Sequence, residues 1–307
     1  ANMFFIRPRP PASAGEEAPF PMAKHSRKHP LRRLAVLAVF LLVLVLFFRW
    51  ENTSLQITHF DPAFTDLPAG FDGCRIVVLS DLHGAEFGEN NEELFQTVAD
   101  QSPEYIFYLG DLEDKYRGPD PGYAEAVAAG LTAIAPTYYV TGNHEWAIGD
   151  VPELKERLAA QGVTVLSNSF VTLERNGDTV VLAGIDDPNG YADQKPPETV
   201  AAEVYAAYGD PFWMLLAHRN DRFESQYSLL GADLVLSGHG HGGIIRLPFT
   251  DGLLSTDRTL FPSYTAGLYE ANGSALFVTR GLGNSGPSFR LWNRPEVAVV
   301  TLHRAEA

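Results

Sequence analysis

The sequence predicts an α/β fold preceded by a single apolar segment. Short runs rich in Val, Ile, Leu and aromatic residues alternate with helix-period segments through both halves of the chain. Five polar segments each follow one of those strand-like runs: Asp81-Leu82-His83, Gly110-Asp111, Gly142-Asn143-His144-Glu145, Ala217-His218 and Gly238-His239-Gly240-His241. Residues 34–48 are fifteen apolar residues without a charge, bounded by Arg33 and Arg49.

Residues 1–33 are basic and Pro-rich, which predicts a disordered cytoplasmic tail. Residues 34–50 read as a transmembrane signal anchor. Fifteen helical residues reach only about 22 Å against a hydrocarbon core of about 30 Å, so the flanking Arg must snorkel and Trp50 must sit at the interface. A cleaved signal peptide is the competing reading, although Arg49-Trp50-Glu51-Asn52 lacks a small-x-small cleavage site. Arg32-Arg33 also allows twin-arginine export. A buried core helix is rejected, because the segment has no polar face. The basic flank places the amino terminus inside the cell and residues 51–307, the catalytic domain, outside.

Within 51–307, strands are predicted at 55–60, 75–80, 105–109, 137–141, 163–167, 171–174, 179–184, 212–216, 233–237 and 296–303. Asn176-Gly177 is the turn between the sixth and seventh, and Asn272-Gly273 breaks a hairpin over 267–280. Helical periodicity covers 91–100, 123–134, 152–160 and 198–207. No internal repeat is present. The polar segments come from both ends of the region, which argues for one catalytic domain.

Charge is unevenly divided. The formal net charge is −15, but residues 1–33 contribute +5, so the remainder carries −20. An acidic catalytic part lacks the basic footprint of a nucleic-acid binder, and no nucleic acid is expected as partner. The single cysteine, Cys74, excludes an intramolecular disulfide and reads as a packed small residue.

The polar segments explain one another chemically. Phosphate esters are anionic and repel hydroxide. Two divalent cations about 3.5–4 Å apart can clamp the phosphate and activate a water. A carboxylate must reach both ions, and Asp111 suits that role because Gly110 permits a sharp turn before it. Asp81 and His83, and again His239 and His241, are two apart and point the same way in extended backbone. Gly238 and Gly240 remove bulk where two imidazoles crowd. Asn143 offers a neutral oxygen. With no thiolate, the donors suit Mn, Fe, Zn or Co.

The order Asp-x-His, Gly-Asp-x-x-Asp (Gly110 to Asp114), Gly-Asn-His-Glu, His, Gly-His-x-His resembles the calcineurin-like metallophosphoesterases over roughly residues 71–302. Gly242-Gly243, Arg246-Leu247-Pro248-Phe249, the run from Tyr264 to Tyr269, the run from Arg280 to Ser285 and Asn293-Arg294-Pro295-Glu296 resemble the membrane-associated YkuE-type subfamily. Gly240 and Ile244 depart from that pattern, where Thr and Gln are expected, and this concerns the substrate rim rather than the metal site. The resemblance implies a four-layer α/β/β/α sandwich of two mixed sheets. It places one metal on Asp81, His83, Asp111 and His241, and the other on Asp111, Asn143, His218 and His239. His144 then protonates the leaving oxygen.

Asp114 is expected to orient a ligand histidine, or else cap a turn. Glu145 is expected either to orient His144 or to begin a helix. Arg219 is placed to meet phosphate oxygens or to form a surface salt bridge. Asp186-Asp187-Pro188 reads as turn chemistry. Phe261, Tyr264 and Tyr269 read as core aromatics, with a grip on an acyl chain as the alternative. The leading function is a membrane-anchored hydrolase of phosphate-ester or pyrophosphate bonds, including those of a lipid-linked phosphate. The alternative is a catalytically weak metal-binding scaffold of the same fold that binds a partner protein.

Overall fold

In the computed structural model the strand-like runs alternate their side chains between two different cores, which is what forces layers. The structure describes residues 30–190, 194–247, 251–256, 258–286 and 289–306. Most of the predicted basic tail, together with Pro248 and Phe249, lies outside these. The chain divides into two compact units, 1–44 and 45–307. Helix α1 (Pro30–Thr53) starts in the first and ends in the second. Its 24 residues measure about 36 Å, longer than the charge-free run alone allowed. The helix takes in Arg32, Arg33 and Arg49, because nothing in a basic side chain breaks a helix. From Leu34 to Leu46 its large apolar side chains are exposed. By length and composition it is able to cross a membrane.

The unit 45–307 contains two sheets. The first is built from β1 (Gln56–Phe60), β2 (Ala63–Phe64), β3 (Cys74–Leu79), β4 (Tyr105–Tyr108), β5 (Thr137–Tyr139) and β6 (Thr164–Val165). The second comprises β7 (Ser169–Arg175), β8 (Asp178–Gly184), β9 (Trp213–Arg219), β10 (Leu234–Gly238), β11 (Gly267–Ala271) and β12 (Ser274–Val278). The last strand, β13 (Glu296–Arg304), returns to the first sheet and inserts between β1 and β3. The first sheet runs β1-β13-β3-β4-β5-β6 and the second β11-β12-β10-β9-β8-β7. Both are mixed: β13 is antiparallel to β3, β11 to β12 and β7 to β8, while β3, β4 and β5, and β8, β9 and β10, run parallel.

Period-two burial assigns the layers. On β3, Ile76 and Val78 face a core shared with Met214 and Leu216 of β9. The alternate residues Val77 and Leu79 face a second core. There they meet helices α2 (Glu92–Asp100), α3 (Pro121–Thr132) and, beyond the short α4 (Asn143–Ile148), α5 (Val151–Ala160). On β9, Trp213 and Leu215 turn to a third core with α6 (Pro197–Tyr208). The order of layers is helix, sheet, sheet, helix, as the resemblance implied. Each fully buried Val, Leu or Ile contributes about 1.5–3 kcal/mol, so the two-faced strands are the main source of cohesion. The predicted hairpin turns occur at Asn176-Gly177 and Asn272-Gly273, where both residues have positive φ.

Candidate metal centre

The carboxyl ends of β3, β4, β5 and β10, with the last turn of β9, meet at one rim. Asp81 and His83 follow β3, Asp111 follows β4, Asn143 opens α4 after β5, and His239 and His241 follow β10. His218 differs from its expected place: it lies inside β9 rather than beyond it. The convergence of the paired residues also has a different cause from extended alternation. Asp81 (φ 54°), His83 (51°), Asp111 (53°), His239 (63°) and His241 (44°) all adopt left-handed backbone. Non-glycine residues seldom do so, and such strain gathers where function demands a placement.

The seven predicted ligands form one cluster around Asp111. Its Oδ2 lies 3.7 Å from His83 Nε2 and 3.3 Å from His218 Nε2. On one side, His83 Nε2 stands 3.1 Å from His241 Nε2, and Asp81 Oδ1 is 3.5 Å from His241 Nε2. On the other, His218 Nε2 is 3.2 Å from Asn143 Oδ1 and 3.2 Å from His239 Nδ1. Asp81, His83 and His241, and separately Asp111, His218 and His239, bring one donor atom each within 4.8 Å of the others. His83, Asp111 and His144 also meet that criterion.

The donors fit divalent cations. Asp81 Oδ1 is buried within the cluster without a hydrogen-bond partner, a costly state for a polar atom unless another group completes it. Burial holds the His83 and His241 rings down at about 3, helped by the neighbouring His241 at His83 and by Arg290 at His241, so both are neutral. Burial and the His218 charge likewise hold His239 well below the usual range. Burial alone would raise Asp111 and lower His218, but their mutual attraction wins. It holds Asp111 well below the carboxylate range and His218 up at about 10. The pair thus keeps a proton that a cation must displace. His218 Nδ1 faces Leu109 O at 2.7 Å, which aims Nε2 into the cluster.

Two supporting carboxylates each follow one of their expected alternatives: Glu145 begins a helix, and Asp114 caps a turn, its Oδ1 accepting from Tyr116 N at 3.1 Å. Glu145 does begin α4, but it touches no part of the His144 ring that the structure records. Its oxygens accept from the backbone N–H groups of Asp111, Leu112, Glu113 and Gly142 at 2.7–3.2 Å, so it holds the turn that carries Asp111. That turn needs glycine. Gly110 has φ 89°, and a Cβ there would collide with the Gly142 backbone. Asp114 contacts His144 rather than a predicted ligand: its Oδ1 is 3.1 Å from Nδ1. His144 Nε2 is left facing the cleft, 3.4 Å from Ser285 Oγ, while its backbone N–H donates to Asp111 Oδ1.

The donors open into a cleft of about 570 Å³. Lys115, Arg219 and Arg258 line it together with Ile244, Leu254 and Phe289. Arg219 forms a salt bridge, one of its two expected roles, but with a buried partner: its Nε donates to Asp187 at 2.9 Å, and Nη1 lies 3.4 Å from His239 Nε2. Asp186 and Asp187 do more than turn the chain. Asp186 Oδ1 accepts from Thr141 Oγ1 at 2.7 Å, which ties the end of β8 to the end of β5 across the two sheets. Tyr264 and Tyr269 pack with Phe223 and each other, as core aromatics do, whereas Phe261 is exposed. Cys74 is fully buried, and burial pushes its thiol up to about 12, which leaves it inert. At Gly240 a Cβ would stand 2.7 Å from the Asn220 amide nitrogen, which gives that departure a local reason.

Glu51, Asn52 and Arg290 stand in no motif of the sequence, whereas Asn293 and Glu296 lie in the run Asn293-Arg294-Pro295-Glu296 without an assigned role. Glu296 accepts from Thr58, Thr279 and Arg280, and Arg290 lies 3.2 Å from His241. The sequence signal of Glu51, Asn52 and Arg290 is charge or amide at positions that are otherwise apolar or turn-like.

Residues 74–243 match the family model described as calcineurin-like phosphoesterase. The chain is similar to the uncharacterized metallophosphoesterase YkuE of Bacillus subtilis, 29% identical over 262 residues, covering 82% of this chain and 87% of the relative. It is also similar to the phosphodiesterase YaeI of Escherichia coli, 29% identical over 251 residues, covering 80% and 87%. A transmembrane protein with metallophosphoesterase domain from Danio rerio is 29% identical over 248 residues, which cover 78% of this chain but 55% of that protein.

Proposed function

The chain belongs to the calcineurin-like phosphoesterases, phosphoester hydrolases, and we propose that it works with two divalent cations on phosphate-ester or pyrophosphate bonds at a membrane surface. The observation that carries this is the double donor set around Asp111. Asp81, His83, Asp111 and His241 would hold one ion, and Asp111, Asn143, His218 and His239 the other. Bound there, such ions withdraw charge from the phosphate and activate water.

The chain's own groups supply the rest. Lys115 and Arg219 reach the cleft and neutralise phosphate oxygens. Asp114 faces Nδ1 of His144 and would stabilise the imidazolium, whose Nε2–H is given to the leaving oxygen in general acid catalysis. Glu145 keeps Asp111 in place without entering the reaction. Ile244, Leu254 and Phe289 beside the cationic groups support a substrate with an apolar part, such as a lipid-linked phosphate. α1 would cross the cell membrane once, with the basic segment inside and the catalytic domain outside.

The test is hydrolysis by the purified, Mn²⁺-loaded protein of a panel of phosphomonoesters, phosphodiesters and lipid pyrophosphates in mixed micelles. Turnover of at least one class, with the lipid-borne substrate fastest, is expected. Two tightly held ions with no turnover of any class would leave the metal-binding scaffold as the function.

A further inference from the structure

His241 is held by little regular structure. It follows β10, has left-handed backbone and opens a single tight turn, His241–Gly243. Its position depends on side chains that reach it, and those lead to an unexpected element. Arg290 Nη2 lies 3.2 Å from the ring at Nδ1, and Asn293 Nδ2 donates to the His241 carbonyl at 2.7 Å. Both residues are buried.

Both are held in turn by the last turn of α1. Asn52 grips the Arg290 backbone from two sides: its Oδ1 accepts from Arg290 N at 2.7 Å, and its Nδ2 donates to Arg290 O at 3.1 Å. The same Oδ1 accepts from Asn284 Nδ2, next to Ser285 at the His144 end of the cleft. Glu51 is only 3% exposed, and its Oε2 accepts from Asn293 N at 3.3 Å. Phe48 packs edge-on against Phe289, and Arg294 lies over the Trp50 ring. Asn52 Nδ2 also donates to Phe48 O, so its side chain is set by the helix itself.

We infer that Asn52 and Glu51 are positioning residues of the metal centre. The end of the apolar helix belongs to the active site, fixing the ring of His241 through Arg290 and its carbonyl through Asn293. This rests on the two-ion reading above. It also disfavours cleavage after Trp50, which would separate Asn52 from the turn that orients it.

The experiment uses the full-length protein in detergent micelles, loaded with Mn²⁺ and challenged with EDTA. Metal per chain is followed by elemental analysis, with melting temperature alongside. Groups behind a metal ligand typically change affinity by about 10–100-fold. Asn52→Ala is therefore expected to lose one ion about tenfold faster than wild type while the second leaves at the wild-type rate. Asn52→Asp, which keeps the acceptor but not the donor, should fall between. Thr53→Ala should leave both rates unchanged, because that hydroxyl returns only to Arg49 O. Should Asn52→Ala fail to fold, the Glu51 pair reads the same link. Gln still accepts from Asn293 N and should retain both ions, whereas Ala should release one. Wild-type retention in Asn52→Ala and Asn52→Asp, joint loss of both ions in step with melting, or identical behaviour of Glu51→Gln and Glu51→Ala would overturn the inference. A wild-type protein that holds no Mn²⁺ would instead overturn the proposed function.

Discussion

Asp111 carries the greatest demand of any single residue, because both donor groups converge on its Oδ2. Asp111→Asn removes the charge that both cations share. Its turnover should fall to near background, with metal per chain reduced; two tightly held ions and a rate within about tenfold of wild type would refute the shared role. His144 faces the cleft by its Nε2 and touches Asp114 by its Nδ1. His144→Asn should keep the metals and slow poor leaving groups by about 10²–10⁴-fold. The loss should shrink for leaving groups of low pKa, which need no proton, and an equal loss for both would remove His144 from acid duty. At this scale the ligand types were legible, because Asp, His and Asn after strand-like runs have few other reasons to cluster. The geometry that unites them was not. Extended alternation was the expected cause for Asp81 with His83, whereas left-handed turns are the actual one. Asn52 and Arg290 are 238 residues apart, and no local pattern announces such a pair.

Elements set where those residues stand. The strands were readable from β-branched and aromatic runs because period-two burial on both faces leaves few polar positions. Their ends were less readable: β9 runs on through His218 to Arg219, since its ligand is part of the ladder rather than a loop. α4, only six residues long, was too short to show a period, and only Glu145 as a possible helix start announced it. One element carries a titratable burden. Asp233, at the start of β10, accepts from Trp213 N at 2.7 Å, and burial pushes its carboxyl up to about 6, with Asp66 and Asp210 adding repulsion. In an unfolded chain that group titrates near about 3.9. The folded state therefore binds the proton more tightly, and Asp233 lowers stability progressively as pH rises from about 4 through about 6. Asp233→Asn keeps an acceptor for Trp213 N and removes the charge. Its melting temperature should exceed wild type clearly at pH 7.5 and hardly at pH 4.5. The same gain at both pH values would show that charge is not the cause.

For the whole molecule, the layer order followed from the resemblance, but the insertion of β13 between β1 and β3 did not. A closing strand was predicted; its partners are a matter of long-range pairing that sequence periodicity does not encode. The helix α1 was predicted as a span at the lower limit of length; the helix has 24 residues, with the charge-free run of 34–48 inside it. It also runs past residue 51, so a cut after residue 50 would divide the helix. A chain beginning at Val45 should hold Mn²⁺ in detergent as the full-length protein does, and one beginning at Leu55 should not. If the catalytic domain lies outside, externally added protease should digest it in intact cells with permeable walls; protection until lysis would place it in the cytoplasm.

Two cations held around Asp111 are proposed to make this chain a hydrolase. Metal titration of the stripped full-length protein, following hydrolysis of a phosphodiester and bound Mn²⁺ together, tests this most directly. Activity should be absent after stripping and should rise mainly as the second ion binds. Hydrolysis that survives complete stripping, or full occupancy with no hydrolysis of any ester or pyrophosphate, would contradict it.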